Sequence, residues 1–284
     1  MKERQYIFPK YKIIIAKLIL QIRYYKRTHH FLNLKNPKTF FEKIIWMSLY
    51  SDTSLWSRLA DKYEVREYIK SNTKHQILNE LYHVYNNVED INIKELPTRF
   101  VLKTTNGCAT NLLVKDRNKL TEVEIKKQLR KWLRFPYDIL TGQLFYGNIK
   151  PRIIAEKYLF QEKNPESPLI DYKFYCFNGE PKICNVLSNR TFNTHQIDRM
   201  ICDMNWNMIE NAIEEGKINY IEKPKSYDDM IEICKDLSKG LPFVRIDLYE
   251  INEEPVFGEM TFTPGFVKYS KKFLNELGDM IHIN

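Results

Sequence analysis

Glycine is scarce, with 9 in 284 residues, too few for a fold built on repeated glycine turns, and no stretch has the composition of a low-complexity or disordered chain. Cysteine occurs 5 times, an odd count without a C-x-x-C pair, so neither a disulfide framework nor a zinc site is expected. A reducing cytoplasm is then the simplest setting. Ile13 to Leu20 falls short of the roughly 20 residues of a bilayer-crossing helix, and Lys17 interrupts it. No small-residue cleavage site follows it, so it does not read as a signal peptide. The G-x-x-x-x-G-K-[ST] pattern is missing, which excludes a Walker-type phosphate loop. So is D-x-D, on which many metal-dependent sugar-nucleotide enzymes rely.

What is present is ordinary globular material, 43% hydrophobic and 28% charged, in a chain long enough for two or three packed lobes. The net charge of +8 is unevenly placed. Met1 to Lys43 holds eleven Lys and Arg against Glu3 and Glu42, a surplus of nine, so the rest of the chain carries one net negative charge. A nucleic-acid binder spreads basicity over its folded body, so this distribution argues against nucleic acid as partner. The basic segment reads as an amphipathic helix with Ile15, Leu18, Ile19 and Ile22 on one face among Lys12, Lys17, Arg23 and Lys26. Two readings stay open. Either the helix packs on the body with its lysine stems covering apolar surface, or it makes a peripheral contact with anionic lipid or a polyanion.

Further along, hydrophobic periodicity predicts helices over Phe40 to Tyr50, Asp61 to Ile69, Thr121 to Arg134 and Tyr227 to Leu237. Strands are expected at Phe100 to Lys103, Leu112 to Val114, Ile153 to Leu159, Asp171 to Phe177 and Lys182 to Leu187, with Asn178-Gly179 as a hairpin turn. Phe243 to Tyr249 and Val256 to Met260 form an expected antiparallel pair around Asn252 to Glu254. This is an α+β pattern with hairpins, and a βαβ repeat does not fit.

Three places offer chemistry. In the last hairpin, Asp247 and Glu259 sit on neighbouring strands and can share a face. Two converging carboxylates repel unless a cation joins them, and Mg²⁺ takes such hard oxygen ligands. Arg245 points to the same face and can hold a phosphate oxygen. A surface hairpin with solvated acids remains the alternative. Lys103 ends an apolar strand beside the small-residue loop Thr104 to Asn111 and can reach a phosphate, although strand-end lysines are usually just exposed. Ile153 to Leu159 suits an edge strand whose backbone reads a flat base while Leu159 packs on it, or an ordinary edge strand.

The order of these pieces carries more than any one of them. D-K-Y-E-V-R-E-Y from Asp61, F-V-L-K to Lys103, A-E-K-Y-L to Leu159, D-Y-K-F-Y-C-F-N-G-E-P from Asp171, R-I-D to Asp247 and E-M-T-F-T-P-G from Glu259 resemble the ATP-grasp superfamily. In detail they are similar to its TupA-like branch, found in genes for cell-surface polysaccharide and teichuronopeptide synthesis. The resemblance runs from about Asn36 to Gly265.

It implies an ATP-grasp fold, two α+β lobes holding ATP between them after a helical N-terminal region. The segments would be a basic region at 1–45, a helical region at 46–97, a small lobe at 98–160 and a large lobe with the metal hairpin at 161–284. Lys62 and Lys103 would bind ATP phosphates, and Glu156 and Lys157 would meet the adenine amino edge, with Lys157 and Leu159 in the hinge. Asp171 would accept from the ribose hydroxyls. Asp247 and Glu259 would hold Mg²⁺, with Thr261 where most of the superfamily has Asn, and Arg245 would stabilise phosphoryl charge.

The phosphate loop departs from the branch, with Asn106-Gly-Cys-Ala109 in place of His-Gly-Ser-Gly. The implied activity is ADP-forming carboxylate–amine ligation through an acyl phosphate. The partners would be a carboxylate-bearing sugar or polysaccharide and a small amine, in the cytoplasm or peripherally at the inner face of a membrane. A glycosyltransferase and a non-catalytic nucleotide-binding module are the rival readings. His29, His30 and His195 read as structural or surface histidines.

Overall fold

Two antiparallel sheets follow from the hairpin signals. In the computed structural model, which describes residues 8–189, 198–214 and 219–283, the larger sheet contains β5 (Asp171–Phe177), β6 (Glu180–Ser188), β7 (Asp198–Cys202), β8 (Phe243–Ile251) and β9 (Glu254–Thr261). Their order is β7-β6-β5-β8-β9. The turn between β5 and β6 is made by Asn178 and Gly179, both at positive φ, as a two-residue turn matched to strand twist requires. Asn252 and Glu253 repeat that geometry between β8 and β9. His195 lies outside the described residues.

The smaller sheet holds β1 (Leu81–Tyr85), β2 (Phe100–Thr104), β3 (Asn111–Val114) and β4 (Ile153–Lys157), in the order β1-β4-β2-β3. It therefore begins upstream of residue 98, because β1 pairs with the distant β4. Helix α5 (Glu122–Arg134) buries Ile125 and Leu129 in this sheet's own core, with Phe100, Leu102 and Ala155. Thr121 caps that helix, its hydroxyl accepting from the Glu124 amide while Glu124 accepts from the Thr121 amide.

The remaining helices build on the larger sheet. These are α1 (Lys10–Thr28), α2 (Phe40–Tyr50), α3 (Ser54–Ala60), α4 (Val65–Asn72), the short α6 (Tyr137–Thr141), α7 (Tyr227–Ser238) and α8 (Lys271–Asp279). Helix α7 packs on β5, β6 and β8, whose buried face carries Phe174, Val186 and Ile246. Glu42 anchors the start of α2 by accepting from the amides of Asn33, Lys38 and Thr39. The helix expected at Asp61 starts only at Val65. Asp61 Oδ1 accepts instead from the amides of Tyr63 and Glu64, and this local bonding holds the preceding residues in a turn.

Helix α1 forms as its pattern predicts, but a different face packs. The expected stripe of Ile15, Leu18, Ile19 and Ile22 does not enter the core; Ile13, Ala16, Leu20 and Tyr24 do. Polar contacts fix this orientation, with Arg23 donating to the Thr141 carbonyl and Arg27 to that of Phe266. Among the described residues no helix is long and apolar enough to cross a membrane.

Candidate active site

The register of three strands assembles a polar row on the sheet face opposite α7. Lys173 on β5 is the direct partner of Asp247 on β8, which is the direct partner of Glu259 on β9. Two residues along each strand, Tyr175, Arg245 and Thr261 form a parallel row. Side chains two apart share a face, so six polar groups meet on one patch.

A bulge at Gly258 shapes the row, because Leu248 pairs with Phe257 and Asp247 with Glu259. A Cβ on Gly258 would lie 2.9 Å from the Asp247 carbonyl oxygen. Only glycine lets β9 approach this closely, and the bulge turns Glu259 onto the face that carries Asp247 and Arg245.

The patch is densely bonded. Arg245 Nε donates to Asp247 Oδ1 at 2.6 Å, and its Nη2 donates to Asp247 Oδ2, Glu259 Oε1 and Thr261 Oγ1 at 2.7, 2.9 and 3.0 Å. Lys173 Nζ donates to Asp247 Oδ2 at 2.5 Å and lies 3.5 Å from Asp171 Oδ1. The Asp247 side chain is 2% exposed and that of Glu259 36%. Burial by itself pushes the Asp247 carboxyl up, but the charges of Arg245 and Lys173 outweigh it and hold the group below its ordinary value. Burial likewise pulls Lys173 down, and Asp247 more than restores it.

The upstream lysines make polar contacts of their own. Lys62 Nζ donates to the carbonyls of Thr104 and Gly107, so this lysine holds the small-residue loop. Lys103 Nζ pairs with Glu156 at 2.7 Å, and Arg66 donates to the other Glu156 oxygen at 3.1 Å. Lys62, Lys103, Arg66 and Glu156 line one narrow cavity of ≈ 20 Å³ that Phe257 and Gly258 close from the hairpin side. The cavity thus brings the N-terminal cations against Phe257 and Gly258 of the hairpin, while Asp247 and Glu259 are not among its lining residues. Asn79 lines both this space and an adjoining cleft of ≈ 340 Å³, walled by Ile77, Leu78, Lys157, Leu159, Ile251 and Val256. That cleft has the mainly apolar lining and size of a small-ligand site.

Not every expected residue stands where its implied role would have it. Glu156 is buried between Lys103 and Arg66 and does not line the larger cleft. At Lys157 the amide donates to the Glu80 carbonyl and the carbonyl accepts from Asn79, so β1 and its approach occupy those backbone groups. Asp171 is buried and faces Lys173. The Thr261 hydroxyl is taken up between Glu259 and Arg245. Two residues had no assigned role although both lie inside quoted motifs, Arg66 in D-K-Y-E-V-R-E-Y and Lys173 in D-Y-K-F-Y. The signal for Lys173 was a lysine in a strand now seen to be buried throughout, which only a partner such as Asp247 permits.

Whether the patch suits Mg²⁺ is a question of donor chemistry. Asp247 and Glu259 offer hard carboxylate oxygens, the Thr261 hydroxyl being already engaged, and Glu259 is the more exposed of the two acids. The set fits a hard divalent cation, with Glu259 as the accessible ligand and Asp247 behind it.

The sequence matches the model of the TupA-like ATP-grasp family over residues 42–282. No curated protein matches it. Among solved structures it is similar to a D-alanine–D-alanine ligase from Bacillus anthracis in complex with ATP (14% identity, TM-score 0.45), covering 79% of this chain and 63% of that one. A D-alanine–D-alanine ligase from Helicobacter pylori (14%, TM-score 0.45) is covered over 68% of its length by 87% of this chain. An N5-carboxyaminoimidazole ribonucleotide synthetase from Thermus thermophilus (13%, TM-score 0.43) is covered over 48% by 75% of this chain. With most of its length matched, from the end of the basic segment through the hairpin that carries Asp247 and Glu259, the chain belongs to the TupA-like ATP-grasp family.

Proposed function

We propose that the protein is an ATP-dependent carboxylate–amine ligase that forms an amide through an acyl phosphate, acting on a surface polysaccharide or its precursor. The observation that supports this reading most is the cavity in which Lys62 and Lys103 meet Gly258, the strand neighbour of Glu259, since joining two anions requires cations and a metal-holding hairpin near one another. Mg²⁺, when bound, would draw charge from the phosphates and so permit attack by a second anion.

The protein's own groups do the rest. Lys103 leaves Glu156 for an incoming phosphate, and Arg66 keeps the Glu156 charge compensated. Arg245, fixed by Asp247 and Glu259, presents a preorganised cation that needs no rearrangement as charge develops. Lys62 holds the loop that shields the centre from water.

The experiment is ADP release from ATP and Mg²⁺ with a panel of uronic acids paired with small amines. Glu259→Gln should slow turnover by about 10²–10³-fold, the scale of losing one stabilising group from a transition state. Glu259 suits this test better than Asp247, whose replacement also breaks a buried ion cluster. Turnover of Glu259→Gln at the wild-type rate would sink the assignment. Stabilisation by a UDP-sugar and not by ATP in a thermal melt would transfer it to a glycosyltransferase.

A further inference from the structure

Helix α1 is apolar on two sides, and only one is covered. At about 100° of turn per residue, Tyr11, Ile14, Ile15, Leu18, Ile22 and Tyr25 fall within an arc of about 100°. The packed residues Ile13, Ala16, Leu20 and Tyr24 lie opposite. All six on the outer arc are exposed, Ile14 by 66%, Leu18 by 63% and Tyr11 by 60%. Phe31, 77% exposed, extends the stripe beyond the helix, its ring 5.1 Å from that of Tyr25. A contiguous row of large apolar side chains on a surface marks an interface.

Cations border it on both flanks. Lys10 and Lys17 lie on one edge, Lys12, Arg23 and Lys26 on the other, and the helix has no acidic residue. Lys12 is set against a carboxylate, that of Asp138 at 3.4 Å. Arg23 donates to a neutral carbonyl, and Lys17 lies over the Tyr50 ring at 5.1 Å, so neither charge is cancelled by those contacts.

We propose that this face docks on an anionic lipid bilayer, with α1 flat in the interface. The apolar stripe would enter the acyl boundary and the flanking lysines and arginines would sit at the level of the lipid phosphates. Charge decides between occupants. A second copy would set one basic helix against another, and a polyanionic glycan offers no apolar surface for six large side chains. The helix lies on the membrane and does not span it, in keeping with its length and its charges.

The test is flotation of the full chain with phosphatidylglycerol–phosphatidylcholine vesicles and with phosphatidylcholine alone. Binding to the anionic vesicles is expected, weakening at high salt as phosphate contacts are screened. Leu18→Glu with Ile22→Glu should lower the partition coefficient by at least about tenfold, since two large apolar groups leave the lipid, while the melting temperature stays unchanged. If that pair lowers the melting temperature, Tyr11→Ser with Ile14→Ser gives the same reading on the outermost positions. Lys10→Glu with Lys26→Glu should also reduce binding to anionic vesicles. Three results would overturn the proposal: absence of vesicle binding, vesicle binding that ignores the apolar substitutions, or a dimer in sedimentation that the apolar substitutions abolish without any lipid effect.

Discussion

Asp247 is shielded from water and touched by two cations, Lys173 and Arg245. A buried carboxylate in that position depends on both, because loss of one leaves charge without full compensation in a poorly polarisable setting. Lys173→Met is therefore expected to lower the unfolding free energy by about 3–5 kcal/mol, read from urea denaturation with an unchanged m-value. If Lys173→Met unfolds at the wild-type urea concentration, the buried cluster is not the strut described here. The row was half legible in the sequence. Alternation put Arg245 and Asp247 on one face, but nothing local aligns Lys173 with Asp247, because that partnership joins strands more than seventy residues apart and is set by register.

At the level of elements, the closing helix α8 shows how closely packing is adjusted. A Cβ on Gly278 would fall 2.2 Å from the Lys38 carbonyl oxygen and 3.0 Å from the Phe40 amide. Lys43 Nζ meanwhile donates to the carbonyls of Gly278 and Ile281, tying α2 to the end of α8. Gly278→Ala forces backbone against backbone, where no side chain can rotate away, and should cost about 1–3 kcal/mol, measured as a lowered midpoint in chemical denaturation. A midpoint equal to wild type would mean that the two helices can slide apart freely. Helices with strong periodicity, such as α5 and α7, were readable from their own residues. Strands β1 and β7 were not, because each short run becomes a strand only by pairing with a distant partner, β4 or β6.

For the whole molecule, two sheets with separate cores leave a cleft between them, and a ligand that touches both adds its binding energy to the stability of the fold. ATP with Mg²⁺ at about a hundred times its dissociation constant should stabilise by about 2.7 kcal/mol. For a chain of this size that is a rise in melting temperature of roughly 5–10 °C. Lys103→Met should abolish most of the rise, since Lys103 lines the cavity where the lobes meet. A full rise in that variant would place the nucleotide elsewhere.

The amino-acid sequence by itself determined the class of the fold and the hairpins at Asn178-Gly179 and around Asn252 to Glu254, because turn geometry and alternation act over a few residues, whereas the direct pairing of Asp247 with Glu259 also needs the bulge at Gly258. Tertiary structure alone decided three things. It set Lys173 against Asp247, drew Glu156 to Lys103 and Arg66, and chose which apolar face of α1 to bury. Each depends on what lies opposite in space. A helix with two apolar sides, or a lysine in an apolar strand, takes its meaning from the surface it meets.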